Sequence, residues 1–187
     1  VRLIGDESFG GLQHFDIGLP PGATLTKIVL DLAGHTLTKT GNNQIQLKGG
    51  VVTGGNLDVS SGILGFETGL TVAGSGTINL RNGGTLVLYR ASAGSPLNIS
   101  RPMVFDDGAY LHWTGQKTSE DIDATVNSPI SLSGAALISV DGVAGSVIEL
   151  AGPLSGTAAG FYKLGANTLL LSGTNTYTGT AEVDGGT

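Results

Sequence analysis

Gly165-Ala-Asn-Thr-Leu-Leu-Leu-Ser-Gly-Thr-Asn-Thr-Tyr-Thr-Gly-Thr-Ala-Glu-Val-Asp-Gly-Gly-Thr187 sets an apolar triplet, an Asn-Thr-Tyr-Thr-Gly corner and an alternating Thr/Val strand one after another. Each piece is a short strand followed by a glycine-bearing turn, and none carries a catalytic constellation. A chain that must pleat, turn and stack a successor on itself needs this order of parts, so the stretch reads as a coil of a β-solenoid.

The same texture extends upstream. Alternation runs through Leu25–Leu32, Gln44–Leu47, Leu57–Val59, Thr77–Leu80, Thr85–Leu88, Ala109–Trp113, Ala136–Val140, Val147–Leu150 and Phe161–Leu164. Gly49-Gly50, Gly54-Gly55, Asn82-Gly83-Gly84, Asp107-Gly108 and Asp141-Gly142 punctuate it. No window holds a sustained i, i+3, i+4, i+7 stripe, so helices are not expected. Strand centres recur at roughly ten-residue intervals, and strands of three to five residues are short for a sandwich. Three such strands per turn, with glycine at corners that need positive φ, predict a right-handed parallel β-helix. Roughly 25 to 30 residues per coil would make about six or seven coils. Residues 1–24, with Phe9-Gly-Gly-Leu-Gln-His-Phe-Asp and Pro20-Pro21-Gly22, are expected to cap the column, and 25–187 to form it. The polar stretch 114–129 is expected to leave one face as a loop.

Composition narrows the function. Charged residues are 13% of the 187, glycines number 32, and 40% of residues are apolar. So apolar a chain must bury its Leu, Ile and Val, which argues against disorder. A net charge of -6, with nine Lys and Arg in all, disfavours nucleic acid. No cysteine is present, which removes disulfides, Cys-based zinc sites and thiol nucleophiles. The chain opens at Val1 and closes within the repeat idiom at Gly185-Gly186-Thr187, which reads as a piece of a longer protein.

The C-terminal wording resembles the autotransporter-associated β-strand repeat of secreted passenger proteins in Gram-negative bacteria. It is carried by Lys163, Leu164, Gly165, Leu169, Leu171, Ser172, Gly173, Asn175, Tyr177, Thr178, Gly179, Val183, Gly185 and Gly186. Asn167 stands near the usual second glycine and Thr180 replaces a glycine after Gly179. The resemblance covers the last part of the chain only. It implies a non-enzymatic passenger rod, displayed outside the cell or on the outer membrane, that acts as stalk or display element and helps export. No cofactor is implied.

Other residues carry groups capable of chemistry. Asp106 and Asp107 form a carboxylate pair of the kind β-helix hydrolases use. They lack the partner motifs of such enzymes, and Asp-Asp-Gly is also a turn sequence. Arg81, Arg90 and Arg101 are the only bases near enough for a lyase reading. Glu120, Asp121 and Asp123 offer oxygen ligands for calcium, but at no recognised spacing. His14, His35 and His112 stand far apart, with no local signal of a triad or metal centre. Tyr110 and Trp113, with Tyr89, offer ring faces on which a sugar could stack. Three residues apart on a strand, Tyr110 and Trp113 point to opposite faces, so Trp113 alternatively plugs the column or packs under the acidic loop. Asn43, Asn56, Asn79, Asn98, Asn167 and Asn175 suggest stacked amides along the axis. The leading reading is a scaffold or passenger segment, covalently continuous with further domains. A carbohydrate-binding or adhesin segment for an extracellular glycan or host-surface ligand is the alternative, and a polysaccharide lyase or hydrolase the third. Open strand edges at the ends invite end-to-end self-association.

Overall fold

The computed structural model describes residues 2–11, 13, 15–17, 28–90, 97–115 and 122–187. Among these are twenty strands and no helix, and the strands pair in parallel throughout. They form a seven-stranded, a ten-stranded and a three-stranded sheet. Neighbours within a sheet are never consecutive in sequence, because the chain visits another face before returning one coil on. The result is a β-solenoid of about six turns.

Register sets the coil length. Leu37, Leu57, Ile78, Met103, Ile130 and Leu154 share one inward ladder. Successive coils are therefore 20, 21, 25, 27 and 24 residues, shorter on average than the 25 to 30 expected. Two strands also exceed the expected three to five residues: Gln44–Thr53 has 10 and Gly62–Val72 has 11. Each turns a corner without leaving the sheet. Gly49 and Gly69 sit there at φ 52 and 75, conformations a side chain would resist, and the register shifts between Lys48 and Gly50. Beyond the corner, Ile28–Asp31 pairs with the first of these strands and Asn98–Ile99 with the second. In later coils Ala124–Val126, Val147–Leu150 and Thr168–Leu171 make a separate three-stranded sheet.

Two expectations about regions fall partly outside the description. Within 1–24, Glu7–Phe9 pairs with Thr36–Lys39 and Phe15–Ile17 pairs with Gln44–Thr53. Within 114–129, residues 116–121 lie outside the described residues, and Ala124–Val126 is a strand of the solenoid rather than loop.

The core is one continuous column. Ile45, Leu64, Leu86, Leu111 and Ile138 form one inward ladder, and Leu47, Phe66, Leu88, Trp113 and Val140 another. All are buried. Each large side chain so placed contributes roughly 1.5–3 kcal/mol by leaving water. Polar side chains outline the column. Asn43 donates to the Gln13 carbonyl and Asn167 to that of Asp141, while Asn56 and Asn175 accept from Thr77 and Leu154 backbone N–H groups. These amides bridge to backbone of the adjacent coil, not to one another, so the expected amide stack does not account for them.

Candidate ligand face

The alternation that sends one residue inward sends the next outward, and parallel register stacks those outward residues coil upon coil. On the ten-stranded sheet one outward ladder runs Ile63, Thr85, Tyr110, Leu137 and Tyr162. A second runs Gln46, Gly65, Val87, His112 and Ser139. Tyr89 follows one place on, in register with Glu67. Three of the chain's four tyrosines thus stand on a single face. Tyr177 is elsewhere, edge-on to Phe161 with centroids 5.6 Å apart.

This face carries a groove of about 410 Å³, bordered by Gln44, Gln46, Ile63, Tyr89, His112 and Thr114. Its polar groups are held in place. Gln44 Nε2 donates to Gln46 Oε1 at 2.8 Å, and Gln46 Nε2 donates to Glu67 Oε2 at 2.9 Å. Glu67 Oε1 meets Lys48 Nζ at 2.7 Å, so its charge is neutralised. The His112 ring lies nearly parallel to Tyr110, at 10° and 5.6 Å between centroids. Its Nε2 is 3.0 Å from Asp141 Oδ2, which also accepts from Ser139 Oγ at 2.5 Å.

The residues singled out from sequence take varied positions. Tyr110 is outward and half-buried, near the groove. Trp113 is 0% exposed, stacked between Leu88 and Val140 inside the column, so its ring face cannot meet a sugar. Gly115 leaves room for it: a Cβ there would come within 2.5 Å of the indole. Asp106 and Asp107 sit at the corner between Met103–Phe105 and Tyr110–Trp113, where both serve the turn. Asp107 Oδ1 accepts the Ala135 N–H at 2.9 Å, and Asp106 accepts Ser133 Oγ at 3.2 Å. Arg81 binds Asp58 at 2.7 Å and reaches Asp106 at 3.4 Å, and both aspartates hold its pKa above the usual arginine value.

Arg90 and Arg101 are buried, so neither stands across a groove from the aspartate pair. Arg90 Nη1 donates to the Asp123 carbonyl at 2.5 Å. Asp123 is buried too, its Oδ2 accepting the Val147 N–H at 2.9 Å. Glu120, Asp121 and His14 lie outside the described residues. Among the described residues no group of three or more His, Asp or Glu is placed to hold a metal. His35 is half-buried, its Nδ1 3.7 Å from Asp6.

Sequence reading missed the buried cations. Lys39 lies in ladder with Val59, Leu80 and Phe105, and Lys163 with Leu111 and Ile138, positions that otherwise hold hydrophobes. Lys39 Nζ donates to the carbonyls of Thr40, Gly41 and Ser61 at 2.6, 2.9 and 3.2 Å. Lys163 Nζ donates to those of Leu164, Gly165 and Gly185 at 2.8, 2.9 and 2.8 Å. Each thus ties its own corner to the corner 22 residues on, in the next coil. The signal was available as Lys39-Thr-Gly-Asn-Asn43 and Lys163-Leu-Gly-Ala-Asn167, the same Lys-x-Gly-x-Asn phrase. Arg101 works in the same way across two coils, donating to Gly55 and Ala73 carbonyls at 2.8 Å each. Burial lowers the pKa of Lys39, Lys163 and Arg101.

Comparison with known proteins adds one line of kinship. The chain is 32% identical over 170 residues, 84% of its length, to the adhesin BmaC autotransporter of Brucella suis biovar 1 (strain 1330). The match spans 5% of that protein's length. No family model matches the chain, and no solved structure matches it. A β-solenoid with this kinship fits an autotransporter passenger.

Proposed function

We propose that this chain is a stretch of a surface-displayed, non-catalytic passenger solenoid serving an adhesive protein of a Gram-negative outer membrane. The observation that carries the reading is 32% identity to an autotransporter adhesin across most of a chain that forms stacked β-coils. The fold supports a rod that holds a ligand face away from the cell, and the ligand is a glycan or another surface or host molecule. The C-terminal Gly165–Gly186 idiom is read as the export-associated repeat. Coils that close one after another outside the cell would oppose backward sliding and so assist translocation. Where coil edges are uncovered, end-to-end stacking of copies is expected. The turn and core roles of Asp106, Asp107, Arg90 and Arg101 favour a scaffold over a hydrolase or lyase.

The test is display. The chain is fused between a signal peptide and an autotransporter translocation barrel. The expected outcome is a protein reached by antibody on intact cells, with adherence to host-cell layers above a barrel-only control. Retention in the periplasm, or display with no gain in adherence, would overturn the reading.

A further inference from the structure

The outward face of the ten-stranded sheet concentrates three tyrosines and a histidine, yet the column does not need them there. Tyr110, His112 and Tyr162 pair in register with Thr85, Leu137, Val87, Ser139 and Glu182, and Tyr89 pairs with Glu67, so no aromatic ladder is required to hold the coils. Beside them the groove is lined by amides, a hydroxyl and short apolar side chains. Of the nearby carboxylates, Glu67 is matched by Lys48, and Asp141 lies against the His112 ring. The groove therefore offers the Tyr89 and His112 rings beside directional amide and hydroxyl groups and, among the described residues, no unmatched cation.

We propose that this groove binds a neutral oligosaccharide lying along the solenoid axis. Sugars present apolar ring faces edged by hydroxyls, which is the complement of aromatic slats flanked by amides. The Gln44–Gln46–Glu67–Lys48 chain fixes the amides before the ligand arrives, which spares the ordering cost of free glutamines. The His112 ring stacks alongside Tyr110, with Asp141 Oδ2 3.0 Å from its Nε2. Other occupants fit less well. An acidic polymer would want cations in the groove, and Lys48 is engaged by Glu67. A peptide could not add as a β-strand, because the strands beneath are hydrogen-bonded on both sides. The groove crosses four coils, so three strand spacings make it roughly 14 Å long. Its 410 Å³ suits a short linear sugar.

The proposal takes its setting from the adhesive reading above, and the test lets either fail alone. The full chain is titrated with cellotetraose, chitotetraose and an acidic tetrasaccharide, followed by amide chemical shifts and tyrosine fluorescence. Saturable binding of a neutral tetrasaccharide is expected, with shifts confined to the groove strands. Tyr89→Ala should weaken it about tenfold, the effect of losing one stacked ring, with melting temperature unchanged. Gln44→Glu, nearly the same shape, should also weaken it and guards against a folding artefact. No saturation with any neutral sugar, binding of the acidic sugar alone, or binding indifferent to both variants would overturn the proposal. If displayed cells carrying Tyr89→Ala lose sugar binding yet adhere as before, the adhesive reading stands on a different ligand, such as a protein.

Discussion

Replacing Lys163 by methionine tests what a buried cation does in a solenoid corner. The side chain is 1% exposed and its ammonium donates three hydrogen bonds, two within its own corner and one to Gly185 of the next coil. Methionine keeps the stem's volume and removes the charge. Each stranded carbonyl costs about 1 kcal/mol, the low end for a buried acceptor, because these corners are half-buried and water can reach them. Against roughly 3 kcal/mol lost stands the relief of no longer burying a charge, which offsets part of it. A net loss of about 2 kcal/mol is expected, felt first by the coil that Lys163 secures, since solenoid stability is a sum of neighbour terms. The assay is amide hydrogen exchange at Asp184, which bonds the Lys163 carbonyl, and at Leu169, which bonds Thr187. About thirtyfold less protection there corresponds to that loss, with coils near Leu64 and Leu86 unchanged. Unchanged or increased protection would refute the argument and mean that desolvation outweighs the tie.

The pH dependence follows from the same burial. Desolvation lowers the Lys163 pKa below the ordinary 10.5, with Asp141 opposing more weakly, and it lowers that of Lys39 likewise. The unfolded chain then binds the proton more readily than the folded one. Stability must rise with pH between the depressed value and 10.5, and the cost of burying the charge is fully felt below that window. Chemical denaturation across this alkaline range should show the rise in the native chain and a smaller one in the Lys39→Met/Lys163→Met pair.

Trp113→Ala should cost about 3–5 kcal/mol by opening a cavity in the column, seen as a lower denaturation midpoint. Trp113→Phe should cost less, since the indole Nε1 is buried without a hydrogen bond. Gly115→Ala should destabilise through the 2.5 Å approach to that indole, and Trp113→Phe should relieve part of the loss in a double-mutant cycle, the approach to Arg90 N at 2.9 Å remaining. Arg81→Ala should change stability by less than about 1 kcal/mol, an effect that shrinks further in salt, because the pair network is partly exposed. Asp107→Ala should cost about 1 kcal/mol through the Ala135 N–H it leaves, with no change in sugar binding.

The all-β solenoid was legible because its causes are local. Period-two alternation needs only neighbouring residues, and glycine marks most corners where φ turns positive, as at Gly49, Gly69 and Gly165, with Ala33 and Ala158 the non-glycine cases among the described residues. What alternation leaves open is which ladder each residue joins. Alternation put Trp113 and Tyr110 on opposite faces, but only the stacked ladders show that Trp113 is the inward one, between Leu88 and Val140. Lys39 and Lys163 carry charge, so hydropathy places them in solvent. They are buried because carbonyls of two successive coils converge on each ammonium, an arrangement that exists only after stacking. The groove is likewise a product of register. Gln46, Val87 and His112 lie 41 and 25 residues apart in sequence and share one ladder only because the coils between them have particular lengths. Sequence alone determined that this chain coils and that its interior is apolar. The stacking register, a long-range property set by every corner at once, decided which side chains meet and where a ligand can lie.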